Sequence, residues 1–297
     1  MKPAAFDYCC PDSLEEAVQL LAANKGQAKI MAGGQSLVPM LNFRVVRPGL
    51  IIDVTRLLEL DFVRQRDAGG LSIGALTRHR VLETSPVVAR RFPVIAQAMP
   101  HVAHLAIRNC GTIGGSLAHA DPAAELPMLA RLLDANIVAR SISGERTISA
   151  HDFFTGPLST ALEEDELITR VEVPGMRHNG WAFEEFARRA GDFALTAVGV
   201  LLDLADGRIR DVRIAMMGVG DTPLRHPEGE AALKGELLSD AVMEQAIQVA
   251  CARLEPRQDL HASPEFRRHL AAMLMRRCLQ QACERAQKRE KQGGQDE

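Results

Sequence analysis

Two short runs of glycine and small polar residues have the composition to hold a negatively charged ligand: Ala32-Gly33-Gly34-Gln35-Ser36 and Gly111-Thr112-Ile113-Gly114-Gly115-Ser116. Without a Cβ, glycine lets the backbone approach a phosphate closely and take up positive φ, so that several N–H groups converge on one anion. Either run alone reads as a turn; the two together, each beside a hydroxyl or amide side chain, point to a diphosphate held from two sides. The better-known phosphate loops are absent. No G-x-x-x-x-G-K-S/T occurs, and neither run fits G-x-G-x-x-G, which sets aside a P-loop nucleoside triphosphatase and a Rossmann dinucleotide site.

Other reactive side chains are scattered. His101, His104 and His119 have no H-E-x-x-H frame and no matching acidic ligand, and they read as loop or packing residues. The six cysteines (Cys9, Cys10, Cys110, Cys251, Cys278 and Cys283) contain no C-x-x-C pair. They read as free thiols, and any iron–sulfur cluster in the working machine must then sit on another chain.

The elements that must position the glycine runs follow from periodicity and punctuation. Ser13-Leu14-Glu15-Glu16 reads as a capping box opening a helix with Leu14, Ala17, Val18 and Leu21 on one face, and Gly26 suits its stop. Ala28 to Met31 is a short strand that runs into the first glycine run, with a second apolar segment at Leu50 to Val54. A strand at Leu71 to Gly74 and helical segments at Thr77 to Glu83 and Val87 to Met99 precede the second run, which is predicted to be a loop. Asp121-Pro122 reads as an N-cap and first-turn proline of a helix through Leu133, and strands follow near Ile137 to Arg140 and Ile168 to Val173. Pro174 to Gly180 reads as a linker. Beyond it, Ala197 to Leu204 and Ile209 to Met217 flank Asp206-Gly207 as a hairpin, followed by helices over Ser239 to Arg253 and from Pro264 onward, with a frayed polar tail at Gly293 to Glu297. Glu163 to Glu166 reads as a solvated acidic turn. The last helix carries eight Lys and Arg against three Glu, either a solvated face or a docking surface for a partner.

The 297 residues suit about two domains at ~150 residues each. With 46% hydrophobic and 25% charged residues the chain is an ordinary globular protein. A balance of 35 Lys and Arg against 38 Asp and Glu, with ten Phe, one Trp and one Tyr, argues against nucleic-acid binding by phosphate neutralisation or base stacking. No signal-peptide pattern and no apolar run of membrane-spanning length occurs, and the expected location is cytoplasmic.

The residues around the glycine runs are specific enough to name a family. Met31-Ala32-Gly33-Gly34-Gln35-Ser36-Leu37-Val38-Pro39-Met40-Leu41-Asn42-Phe43-Arg44, with Arg47-Pro48 and Ile52-Asp53, resembles the first flavin loop of the FAD-binding medium subunits of molybdenum hydroxylases, the carbon monoxide dehydrogenase and xanthine dehydrogenase type. Ile107 to Pro127 resembles the second, and Phe186 to Ala194 extends the resemblance into the last part of the chain.

The resemblance implies an α+β protein: a two-lobed FAD-binding domain of the vanillyl-alcohol oxidase (PCMH) type over 1–55 and 56–175, then a smaller α+β domain over 176–297. It implies that Ala32, Gly33, Gly34, Gln35, Ser36 and Leu37 wrap the diphosphate and ribityl, with Thr112, Ile113, Gly114, Gly115 and Ser116 on the other side. Glu125 stands where the family accepts a hydrogen bond from a flavin hydroxyl, Ile168 at an apolar flavin contact, and Phe193 near the isoalloxazine ring, where several relatives carry Tyr. Glu184 stands where xanthine dehydrogenases tend to carry Lys. No residue is implied as nucleophile or general base. The implied partners are a large molybdopterin subunit and a small iron–sulfur subunit, in a dimer of heterotrimers, with FAD on this chain collecting electrons for an external acceptor. A free-standing flavin oxidoreductase of the same fold and a non-catalytic nucleotide-binding scaffold are the alternatives.

Overall fold

The computed structural model describes residues 1–293, and the tail from residue 294 onward lies outside them. The fold is α+β, and the chain divides into two units. The first comprises Met1–Leu82, His104–Asp121 and Asp134–Gly175; the second comprises Glu83–Ala103, Pro122–Leu133 and the chain from Met176.

In the first unit, β1 (Asp7–Cys9), β2 (Ala28–Met31) and β3 (Leu50–Asp53) form a parallel sheet in the order β1-β3-β2, with Cys9 opposite Ile52 and Met31 opposite Asp53. Parallel strands need crossovers. The helix Leu14–Ala23 supplies one, starting where Ser13 Oγ accepts from Glu16 N at 3.1 Å; the Glu16 carboxylate reaches back to Asp12 N rather than to Ser13 N. Its Ala17, Val18 and Leu21 share a core with Ile52, Val54, Leu57 and Leu60. The second crossover is the first glycine run with the helix Leu37–Asn42. The run therefore leaves the carboxyl end of an edge strand of this parallel sheet, and open sheets with crossover connections place their ligands at the carboxyl ends of their strands.

The same unit holds an antiparallel sheet of β4 (Val63–Gln65), β5 (Leu71–Gly74), β6 (Asn136–Ser141), β7 (Gly144–Ser149) and β10 (Leu167–Val173), ordered β4-β5-β10-β6-β7. A small hairpin of β8 (Phe154–Gly156) and β9 (Ser159–Thr160) lies between β7 and β10 in the chain. Leu71, Ile73, Ile137 and Val171 are fully buried. The edge strand β7 carries mostly exposed polar residues, so no alternating apolar pattern announces it.

The second unit is built on an antiparallel sheet of β11 (Gly180–Ala187), β12 (Ala194–Ala205), β13 (Arg208–Met217) and β14 (Leu224–Arg225) in chain order. The β12–β13 turn puts Asp206 at φ 54° and Gly207 at φ 71°, the left-handed pair that a two-residue hairpin needs. Strand β12 is buried along most of its length. One face packs with the helices Asp240–Ala252 and Pro264–Gly293 through Val198, Val200, Ile214, Ala271, Leu274 and Cys278. On the other, Gly199 lets the helix Glu125–Leu132 approach, since a Cβ there would lie 2.8 Å from Leu132 Cδ2.

Two elements differ from those the sequence predicts. The predicted helix over Val87 to Met99 is broken into Pro86–Arg91 and Pro93–Ala98, because Phe92 precedes a proline and is driven out of the helical region to φ −136°. The helix predicted from Asp121-Pro122 begins instead at Glu125, with Ala124 at its cap; the Pro122 carbonyl accepts from Gly218 N at 3.1 Å and is held outside the helical ladder.

All six cysteines are free thiols. Among the described residues no helix is long and apolar enough to cross a membrane. The basic residues of the last helix are largely engaged within the second unit: Arg267 with Asp259, Leu195 O and Gly218 O, Arg268 with Leu254 O, Arg276 with Glu244, Arg285 with Gln97 and Trp181 O, and Arg289 over the Trp181 ring.

Candidate functional site

The first glycine run presents unengaged backbone donors. Val38 N donates to Gly34 O and Met40 N to Ser36 O, closing the first turn of the helix Leu37–Asn42. Among the described residues, no group accepts from the amides of Gly33, Gly34, Gln35, Ser36 or Leu37. Successive amides without acceptors, leaving a strand and entering a helix, form a concavity for an anion. The two glycines serve different ends. Gly34 takes φ 70°, and a Cβ on Gly33 would lie 2.3 Å from Cys110 O and 2.8 Å from Gly111 Cα. The Gln35 side chain braces the turn by donating to Gly33 O at 2.8 Å.

The second run departs from its predicted loop. Ile113–His119 is a helix, with Thr112 at its N-cap accepting from Gly115 N at 3.1 Å. Its first amides already have acceptors: Ile113 N donates to Thr77 O at 3.0 Å, and Gly114 N to Ala75 O at 2.9 Å. A Cβ on Gly114 would lie 2.7 Å from Ala75 Cβ. Glycine here permits close packing of a helix start, rather than presenting amides to a ligand. Ser116 follows in the same helix, its N–H donating to Thr112 O.

The two runs form one place in the first unit. Thr112 and Ala32 line a small open cleft with Thr55, Leu58, Asp61, Leu76 and Arg78. A Cβ on Gly115 would come within 3.9 Å of Ala32 Cβ. Asp53, at the carboxyl end of β3, braces this edge: Oδ1 accepts from Thr55 N at 2.9 Å and Thr55 Oγ1 at 2.7 Å, and Oδ2 accepts from Tyr8 OH at 2.5 Å. Burial opposes the ionised form of Asp53, yet the hydrogen bonds from Tyr8 and Thr55 with the Arg56 charge outweigh it and hold the carboxyl below the usual range. The hydrogen bond to Asp53 pushes the Tyr8 phenol up to about 12. Ile168, 4% exposed, lies in this unit at a bulge of β10 against β6.

Glu125 and Phe193 belong to the second unit. Glu125, 7% exposed, opens its helix, where the positive end of the helix dipole favours a carboxylate. Phe193 lies in the β11–β12 connection and is 69% exposed. His101 packs on the Phe183 ring, and its hydrogen bond to Glu185 leads the groups that raise its pKa. Tyr8, Thr55 and Arg78 escape the sequence reading because no spacing ties them to the glycine runs. Asp53 carried a signal, standing at the end of the apolar segment that follows the first run.

Residues 4–176 match the family described as the FAD binding domain in molybdopterin dehydrogenase, and residues 181–282 match the CO dehydrogenase flavoprotein C-terminal domain. The chain is 42% identical over 288 residues to the 6-hydroxypseudooxynicotine dehydrogenase complex subunit alpha of Paenarthrobacter nicotinovorans, covering 96% of this chain and 97% of that one. It is 35% identical over 283 residues to the carbon monoxide dehydrogenase medium chain of Hydrogenophaga pseudoflava, covering 95% and 98%. A chain of quinoline 2-oxidoreductase from Pseudomonas putida 86 superimposes with a TM-score of 0.92 at 40% identity, over 96% of this chain and 99% of that one.

Proposed function

This chain belongs to the family of FAD-binding medium subunits of molybdenum hydroxylases, and from that premise we propose that it works as the flavin-bearing electron-transfer subunit of a multi-subunit dehydrogenase. The observation that carries the reading is the row of unengaged amides from Gly33 to Leu37 at the carboxyl end of β2, a site that suits a diphosphate.

Ala32 to Leu37 would hold the diphosphate and ribityl, with Thr112 to Ser116 on the other side as a rigid wall. Glu125 would accept from a flavin hydroxyl, and Ile168 and Phe193 would give apolar contacts. When bound, FAD supplies a centre that takes electrons singly and gives them up as a pair. The residues of this chain bind and orient it, and none is assigned as nucleophile or general base. Substrate oxidation falls to a large molybdopterin subunit, and electrons arrive through the iron–sulfur clusters of a small subunit, in a dimer of heterotrimers in the cytoplasm. We assign 1–55 and 56–175 to the two flavin lobes and 176–297 to the C-terminal domain; the parallel sheet built within the first span and the five-stranded sheet within the second support this division.

The test is the cofactor. The purified chain should carry one FAD, visible as a flavin spectrum, and acid precipitation should release it into the supernatant. After removal, FAD should rebind far more tightly than riboflavin, which lacks the phosphates. Equal affinity for the two would refute a diphosphate cradle, and colour retained by the precipitated protein would refute non-covalent binding.

A further inference from the structure

The second glycine run is held in place by its neighbour in space, Ala75 to His79. Ala75 O and Thr77 O accept from Gly114 N and Ile113 N. On the other side, the Arg78 guanidinium donates to Cys110 O, His79 N donates to Gly111 O at 2.9 Å, and His79 Nε2 lies 3.0 Å from Thr112 O. Arg78 and Thr112 also form an isolated antiparallel bridge. Three successive carbonyls, those of Cys110 and of the first two residues of the run, are thus engaged by two successive residues.

His79 is the member whose side chain is specific. A carbonyl only accepts, so Nε2 carries the hydrogen and Nδ1 is left with its lone pair. His79 is 6% exposed, and its Nδ1 has no partner among the described residues. Gly111 faces it: a Cβ there would lie 2.9 Å from His79 Nδ1 and Cε1, so the absence of a side chain at Gly111 is what admits the ring. Burial, with the nearby Arg108 charge, drives its pKa down to about 4 and keeps the imidazole neutral. Thr112, the residue so gripped, caps the helix Ile113–His119 and shares the cleft with Ala32.

Resting on the flavin-subunit reading, we propose that His79 is a positioning residue of the FAD site: its backbone N–H and imidazole Nε2–H together fix the Gly111–Thr112 backbone from which Thr112 to Ser116 meet the cofactor. Phosphate, ribityl and ring need not touch His79 for its loss to weaken binding.

The test uses the full-length chain stripped of FAD, titrated with FAD by flavin fluorescence, alongside thermal unfolding without FAD. Removing the imidazole donor in His79→Leu leaves Thr112 O with only its helical bond from Ser116 N and frees the Gly111–Thr112 backbone on that side, which should weaken FAD by about tenfold or more. His79→Gln keeps an N–H donor at a similar reach and should stay within about threefold of wild type. Rescue by Gln distinguishes positioning from bulk packing, because it should appear in FAD affinity even where the unfolding temperature without FAD stays low. Gly111→Ala pushes the ring from the opposite side and should mimic His79→Leu, with the double variant no worse than either alone. Should His79→Leu fail to fold, Gly111→Ala against His79→Gln decides. Wild-type affinity in Gly111→Ala, or a Gln variant as weak as Leu, would overturn the inference. A wild-type chain that does not bind FAD would overturn the flavin-subunit reading, and this inference with it.

Discussion

Gly33 meets Cys110 backbone to backbone, so closely that a Cβ on Gly33 would lie 2.3 Å from the Cys110 carbonyl oxygen. The contact joins the start of the unengaged amide row to the segment that leads into Gly111 and Thr112. The geometry of the candidate site in the first unit therefore depends on a residue with no side chain, next to a carbonyl that Arg78 also holds.

Gly33→Ala should separate the two runs and lose FAD. We expect a drop in affinity of tenfold or more, on the order of the ~1–3 kcal/mol that overpacking costs. Gly156→Ala is the control, since its Cβ would find only Ser159 Cβ, at 3.9 Å. Equal FAD content in the two variants would show that the contact does not matter to binding.

Gly114→Val should behave differently. Its amide is engaged by Ala75 O and its Cβ would collide with Ala75, so the damage is to packing. A lower unfolding temperature in the absence of FAD is expected, with weakened FAD binding as its consequence. FAD loss with no change in the unfolding temperature of the cofactor-free protein would instead return Gly114 to direct contact with the anion.

Much of this was legible in the residues. Strand β2 followed by Gly33-Gly34, and β3 within the apolar segment Leu50 to Val54, follow from short apolar runs with glycine punctuation, and the Asp206-Gly207 hairpin from its turn pair. The second run was not legible as a helix, because glycine signals permission rather than conformation. Gly34 uses that permission for a positive φ, whereas Gly114 uses it for close approach to a residue far away in sequence. Such an approach leaves no local trace. The same holds for His79, whose partners Gly111 and Thr112 lie more than thirty positions away, and for the basic last helix, whose charges find acids and carbonyls on other elements.

The buried His79 should also give stability a pH dependence. Its pKa lies near 4 in the folded chain, below the ~6.5 of an unfolded histidine, so the unfolded state takes up the proton first. Stability contributed by the neutral ring is present above about pH 6.5 and is lost as the pH falls toward 4. His178 and His226 are buried and shifted the same way, so the contribution is read as a difference. Unfolding temperatures between these limits should fall less steeply in His79→Gln than in wild type, and parallel slopes would contradict the assignment.

The most direct measurement of the central claim compares two samples under anaerobic conditions: the FAD-loaded chain alone, and the same chain in its complex with the molybdenum and iron–sulfur subunits. A substrate that the complex oxidises should bleach the flavin absorbance in the complex and leave it unchanged in the lone chain. The cysteines here offer no cluster spacing, and no side chain is assigned to the oxidation chemistry. Bleaching of the lone chain by that substrate, at a rate comparable to the complex, would contradict the electron-transfer role and make this protein a free-standing flavin oxidoreductase.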